Sequence, residues 1–108
     1  MSSSRLIRFI LLVSVWMLIL PSHGHAEERF DIYTVNYPLA YFAERIGGEH
    51  INVVFPAPPD VDPAFWIPDE ATVRKYQQAD LIILNGADYA KWTKKVSLPL
   101  LRTIDTSR

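Results

Sequence analysis

Asp60 and Asp62 stand two residues apart in PPDVDPAFWIPD, Pro58 to Asp69, a stretch that also carries Phe65 and Trp66. Two carboxylates so spaced have two chemical uses. They can serve as acid and base around one substrate, or as hard oxygen ligands for a cation, manganese or magnesium before zinc. The backbone beneath them is stiff, because five of the chain's eight prolines fall between Pro56 and Pro68 and each fixes its own φ. Carboxylates on a tight, proline-flanked turn need not converge on one substrate. No nucleophile elbow, glycine-rich phosphate loop or paired histidine–acid motif accompanies them. The sequence therefore favours a binding protein over an enzyme. As metal ligands, two carboxylates alone make a weak, open site. Asp62, beside Pro63, has a second use in hydrogen-bonding loop amides, and both uses of this weak metal candidate stand.

Nitrogen and sulfur ligands are scarce. The chain has no cysteine and three histidines, His23, His25 and His50, whereas zinc takes three or four nitrogen, sulfur or carboxylate ligands in a tetrahedral array. His23 and His25 precede the expected cleavage point described below. His50 begins a predicted strand whose far end leads into the proline-rich loop; at about 3.3 Å per residue the two lie roughly 16 Å apart. His50 reads as a surface residue.

The N-terminus bounds the compartment. Arg5 and Arg8 precede an apolar run from Phe9 to Leu20, followed by Pro21 and the small residues Gly24 and Ala26, which is the pattern of a secretory signal peptide cut after Ala26. About 12 apolar residues fall short of the roughly 20 needed to span a bilayer, so no stable membrane span is expected after cleavage. Removing residues 1–26 leaves 108 − 26 = 82 residues and, with Arg5 and Arg8 gone, a formal charge of 9 − 12 = −3. That excludes a basic nucleic-acid surface. Without cysteine, neither a disulfide nor a lipid-anchored N-terminal cysteine is available, and a soluble periplasmic protein is expected.

Residues 27–108 alternate strand and helix signals. Phe30 to Val35 is a β-prone run. A helical stripe follows in which Leu39, Phe42, Ala43 and Ile46 recur at offsets 0, 3, 4 and 7, closed by Gly47-Gly48. Ile51 to Phe55 reads as a strand covered on both faces. After the loop, Asp69 is placed to cap a second helix running to about Ala79. Leu81 to Leu84 forms a buried strand ending at Asn85-Gly86. Tyr89, Trp92 and Val96 share one face of a predicted short helix, with Lys91, Lys94 and Lys95 solvated, and Thr103 to Thr106 begins a fourth strand. Strands separated by single helices imply right-handed crossovers, hence an α/β fold with a parallel sheet. In such a sheet the segments leaving the strands emerge at one carboxyl edge, where open α/β folds bind ligands. Asn36-Tyr37, the Pro58–Trp66 loop, Asn85-Gly86 and Asp105-Thr106 are therefore expected to converge. Tyr37, Phe65, Trp66 and Asn85 are the candidates to line the resulting cleft, with packing the competing role for the aromatics.

Three pieces, YTVNYPLAYFAERIGGEHINV, the PPDVDP loop with Pro68, and QADLIILNGADYAKW, resemble in order and spacing the solute-binding proteins of bacterial zinc and manganese ABC transporters. They cover most of residues 32 to 92. The resemblance implies two α/β lobes joined by a long helix, a divalent metal (Zn2+ or Mn2+) held between them, and delivery to a membrane permease. Where the family loop reads Pro, Gly, any residue, acid, Pro, His, this chain has Pro59, Asp60, Val61, Asp62, Pro63 and Ala64. The position of the first metal-ligating histidine is thus Ala64, and the family's Tyr and acidic positions hold Trp66 and Ile67. The resemblance also implies a mature protein several times longer, so residues 27–108 are expected to form an incomplete N-terminal lobe. Two alternatives remain: the same scaffold holding an organic solute or a metal chelate through its more apolar mouth, or a fragment that holds nothing.

Overall fold

A computed structural model of the chain describes Ser3, Ile7, Gly24 and residues 27–107; the expected signal peptide lies almost wholly outside the described residues. Strands β1 (Phe30–Thr34), β2 (Ile51–Val54), β3 (Leu81–Leu84) and β4 (Thr103–Asp105) form one sheet in the order β2-β1-β3-β4. Every pairing is parallel. Helix α1 (Tyr37–Gly47) and a 3-10 turn (Gly48–His50) connect β1 to β2, and the proline-rich loop and helix α2 (Glu70–Gln78) connect β2 to β3. The α/β fold with alternating helices is as the sequence implies. The first crossover runs outward from β1 to β2 and the second runs back from β2 past β1 to β3, so with right-handed connections the two helices cover opposite faces.

Local chemistry explains the helix boundaries. The Asn36 side chain accepts from the Leu39 amide at 3.0 Å and Pro38 sits in the first turn of α1, where no amide donor is needed. Gly48, at φ 54°, ends the element. In α2 the Asp69 carboxylate accepts from the Thr72 amide at 2.7 Å, and the hydrogen bonding from Thr72 holds the Asp69 carboxyl below its ordinary range.

The core lies on the α2 side, where Val35, Tyr76, Ala79, Ile82, Ala90 and Trp92 pack together. Tyr33 and Ile82 are register partners and so present side chains to the same face. The Tyr33 ring meets Tyr76 edge-on at 5.0 Å, and Tyr76 lies 4.8 Å from Trp92. The buried Tyr76 hydroxyl donates to the Thr34 carbonyl at 2.7 Å. Burial, followed by the neighbouring Tyr33, pushes its ionisation well above the ordinary tyrosine range.

Three sequence expectations need correction. The stripe Leu39, Phe42, Ala43, Ile46 is not the buried face of α1. Ala40 and Ala43 are buried, Leu39 is partly buried, and Phe42 and Ile46 are 60% and 86% exposed. The helix lies over β1 and β2; β2 is the edge strand, so the Phe42–Ile46 side has no sheet beneath it among the described residues. For the same reason β2 is only partly buried, not covered on both faces, and Asn52 is exposed. The short helix expected around Trp92 is a 3-10 segment, Lys91–Lys95, followed by a second at Leu100–Arg102. Thr93 closes it tightly by sending both its amide and its hydroxyl to the Ala90 carbonyl, at 3.1 and 2.8 Å. Trp92 is nevertheless buried and Tyr89 partly so, while Lys91, Lys94 and Lys95 are exposed. Among the described residues no helix is long and apolar enough to cross a membrane.

Candidate functional site

The strand order reverses at β1, which sends one connection outward to β2 while β3 pairs on its other side. The crevice between the carboxyl ends of β1 and β3 is therefore the switch point at which α/β sheets receive ligands. Asn36, the residue capping α1, is buried there and donates through Nδ2 to Asn85 Oδ1 at 3.2 Å. This amide pair fills the crevice floor. Beyond Asn85 the chain makes a left-handed turn through Gly86, Ala87 and Asp88, at φ 70°, 48° and 60°, closed by the Tyr89 amide on the Gly86 carbonyl at 3.0 Å. Gly86 is required twice over, since a Cβ there would strike the Asp105 carboxylate at the end of β4. Asn85, Gly86 and Asp105 thus converge as the topology demands.

The proline-rich loop forms the outer wall. Asp62 organises it: its Oδ1 accepts from the Ala64 amide at 2.9 Å, and its carbonyl accepts from the amides of Phe65 and Trp66 at 3.1 and 2.9 Å. The Val61 amide closes the preceding turn on the Pro58 carbonyl at 3.2 Å. Two ties bind the loop to the rest of the fold. The Lys91 amide donates to the Ala64 carbonyl at 3.3 Å, and Trp66 meets the buried Trp92 edge-on at 6.4 Å. Pro68 is buried at the loop's exit.

The candidate residues separate into groups. Asn85 joins Asn36 on the floor. Trp66 packs against the core cluster. Phe65 points outward, 65% exposed, with the Lys91 ammonium 4.6 Å from its ring centroid. Tyr37 is 68% exposed and leans along α1 toward Tyr41, ring centroids 6.5 Å apart. Asp60 is exposed. Among the described residues no group of three or more His, Cys, Asp or Glu is placed to hold a metal ion. His50 is exposed and lines a hollow with Glu27, Glu28, Arg29 and Glu49. It belongs to the turn entering β2, whereas the loop leaves the opposite end of that strand.

One contributor escapes the sequence reading. Lys91 reads as one more solvated lysine, because its place over Phe65 depends on a contact between segments far apart in the chain. Asn36 was placed at this edge by the topology, and its capping role had a signal too, an amide side chain immediately before Tyr-Pro at a helix start. Its bond to Asn85 carried none.

Residues 32–103 match the family described as the periplasmic zinc-uptake complex component A, ZnuA. Among solved structures the chain is similar to Zn(II)-bound AdcA from Streptococcus pneumoniae (24% identity, TM-score 0.62, 72% of this chain and 18% of that one). It is likewise similar to the isolated Zn(II)-bound ZnuA-like domain of that protein (24%, 0.62, 72% and 31%) and to the metal-dependent lipoprotein YcdH from Bacillus subtilis (22%, 0.62, 71% and 30%). At such identities the likeness is one of fold. The chain spans 18% to 31% of the lengths of these relatives, and no curated protein matches it. With the family matched from β1 into β4, across the reversed sheet and its rigid carboxyl-edge loop, the chain belongs to the ZnuA family of zinc-uptake components.

Proposed function

We propose that residues 27–108 form the N-terminal lobe, or part of it, of an extracytoplasmic receptor that captures a divalent metal and hands it to an ABC transporter permease. The observation that carries this reading is the family match across the sheet together with a carboxyl-edge loop held in shape by its own hydrogen bonds. Zinc is the first choice of cargo, because AdcA is described as Zn(II)-bound; manganese is the second. The cargo enters as a free or delivered ligand, not as a resident cofactor, and no chemical step is assigned to the protein. The signal pattern before Ala26 supports a periplasmic destination. Tyr37, Phe65, Trp66 and Asn85 are proposed to contribute to the cleft wall, with Asp62 a weak oxygen ligand whose Oδ1 already serves the Ala64 amide.

In this reading Ala64 occupies the position of the family's first histidine, and its methyl offers a metal nothing. Zinc titration of the purified protein by calorimetry tests the assignment. Residues 27–108 alone are expected to bind zinc weakly, and Ala64→His in the full-length receptor to tighten zinc binding at least tenfold. Submicromolar 1:1 binding by residues 27–108 alone, or no change in the full-length variant, contradicts it.

A further inference from the structure

We propose that Lys91 is a positioning residue for the metal-facing wall: its main chain and its ammonium together clamp residues 64 and 65, and so fix where the side chain at position 64 points. The clamp rests on the reading of this loop as the wall that meets the cargo. Lys91 acts through the loop, not through contact with the metal.

Both peptide groups flanking the Cα of Ala64 are committed. Its amide donates to Asp62 Oδ1 at 2.9 Å, and its carbonyl accepts from the Lys91 amide at 3.3 Å. The next two side chains are gripped from opposite sides. Phe65 points outward with the Lys91 ammonium 4.6 Å from its ring centroid, and Trp66 packs inward, edge-on to Trp92. Three of these four contacts thus come from the consecutive residues Lys91 and Trp92. A backbone held on both sides of residue 64 gives its Cα–Cβ direction little freedom. A metal ligand pre-set in direction spares the ordering cost of binding.

The segment that carries the clamp is itself fixed. Thr93 closes the 3-10 turn on the Ala90 carbonyl, and Lys94 pairs at 2.6 Å with Asp88, which lies in the left-handed turn after Asn85. The loop leaving β2 is therefore braced against the turn leaving β3. The exposed link in that brace is the ammonium over Phe65, attracted by the quadrupole of the ring. Charge is the competing role for Lys91, since an ammonium opposes an approaching dication. Asp60 and Asp62 on the same loop outnumber it, so the loop as a whole attracts a dication with Lys91 in place. The two roles predict opposite signs: without the ammonium, zinc binds more weakly if Lys91 clamps and more tightly if it repels.

Calorimetric titration with zinc chloride reads that sign in the full-length receptor carrying Ala64→His, which puts a ligand at the positioned residue. Adding Lys91→Gln is expected to weaken zinc binding about two- to fivefold, the size of one exposed cation–ring contact. Lys91→Arg should restore it, and Lys95→Gln, at an exposed neighbour, should leave it unchanged. Phe65→Leu should weaken binding as Lys91→Gln does, and the two together no further, because they break one contact. Amide exchange at Phe65 and Trp66 in the metal-free protein should quicken in Lys91→Gln and recover in Lys91→Arg. Tighter or unchanged zinc binding in Lys91→Gln, or additive losses in the double variant, overturns the clamp. If Ala64→His gains zinc and Lys91→Gln changes neither affinity nor exchange, the clamp falls and the metal-receptor reading stands. If Ala64→His gains nothing while exchange still quickens in Lys91→Gln, that reading falls and the clamp is upheld as a brace of the loop.

Discussion

On the α2 side of the sheet, Tyr76, Ile82 and Trp92 are nearly inaccessible to solvent and the proline-rich loop is anchored among them through Trp66. On the α1 side, the helix buries two alanines and leaves Phe42 and Ile46 in solvent, while Leu100, Leu101 and Ile104 are exposed around the edge strand β4. The contrast separates support from recognition. The loop's shape depends on the finished side and on its own hydrogen bonds, so the side chains at its tip can change without the loop collapsing. Ala64 stands in a loop held in shape by its own hydrogen bonds, so under the proposed reading an alanine at the first ligand position leaves the fold in place.

The largest predicted effect breaks the finished side. Trp92→Ala removes the ring on which both Tyr76 and Trp66 rest, and truncating a buried tryptophan costs about 3–5 kcal/mol. In a small domain with little stability in reserve, urea unfolding followed by circular dichroism should show cooperative folding weakened to the point of loss. A near-normal midpoint would mean that the aromatic cluster is not the support.

Tyr76→Phe is a smaller break. It leaves the ring but withdraws the donor from the Thr34 carbonyl, at about 1–3 kcal/mol for a buried group left unpartnered. The same residue gives a pH signature. Its folded-state ionisation lies above the unfolded value of about 10, so its contribution is complete below pH 10 and is lost as the pH rises beyond it. Stability measured from pH 9 upward should fall in the parent and fall less in Tyr76→Phe; parallel curves would contradict the assignment.

The smallest effect sharpens the other side of the comparison. Ile46→Lys on the exposed flank of α1 should move the unfolding midpoint by no more than about 0.5 kcal/mol. A large loss would show that this flank is covered in solution.

The fold was legible because strand and helix punctuation in this chain is unambiguous: Asn36-Tyr-Pro, Gly47-Gly48, Asp69 and Asn85-Gly86 all mark boundaries near where they fall. Burial was less legible. The apolar stripe of α1 predicts a covered face, but which face is covered depends on β2 being the sheet's edge, and strand order is not written in periodicity. The 3-10 segment was missed because Tyr89, Trp92 and Val96 fit helical spacing whether or not a helix forms. At the candidate site, convergence of Asn36, Asn85 and Asp105 followed from the topology of a parallel sheet. The contacts of Lys91 with Ala64 and Phe65 did not, since they join segments with no shared pattern.

The central claim is that the loop is a metal-facing wall whose scaffold has outlived its first ligand. Zinc absorption-edge spectroscopy of the Ala64→His variant, against the parent at equal zinc loading, tests it most directly. The account predicts one additional imidazole nitrogen in the zinc shell at about 2.0–2.1 Å, with Trp66 emission in the metal-free variant unchanged from the parent. An identical zinc shell in the two proteins would mean that residue 64 does not face the metal, and the account would be wrong.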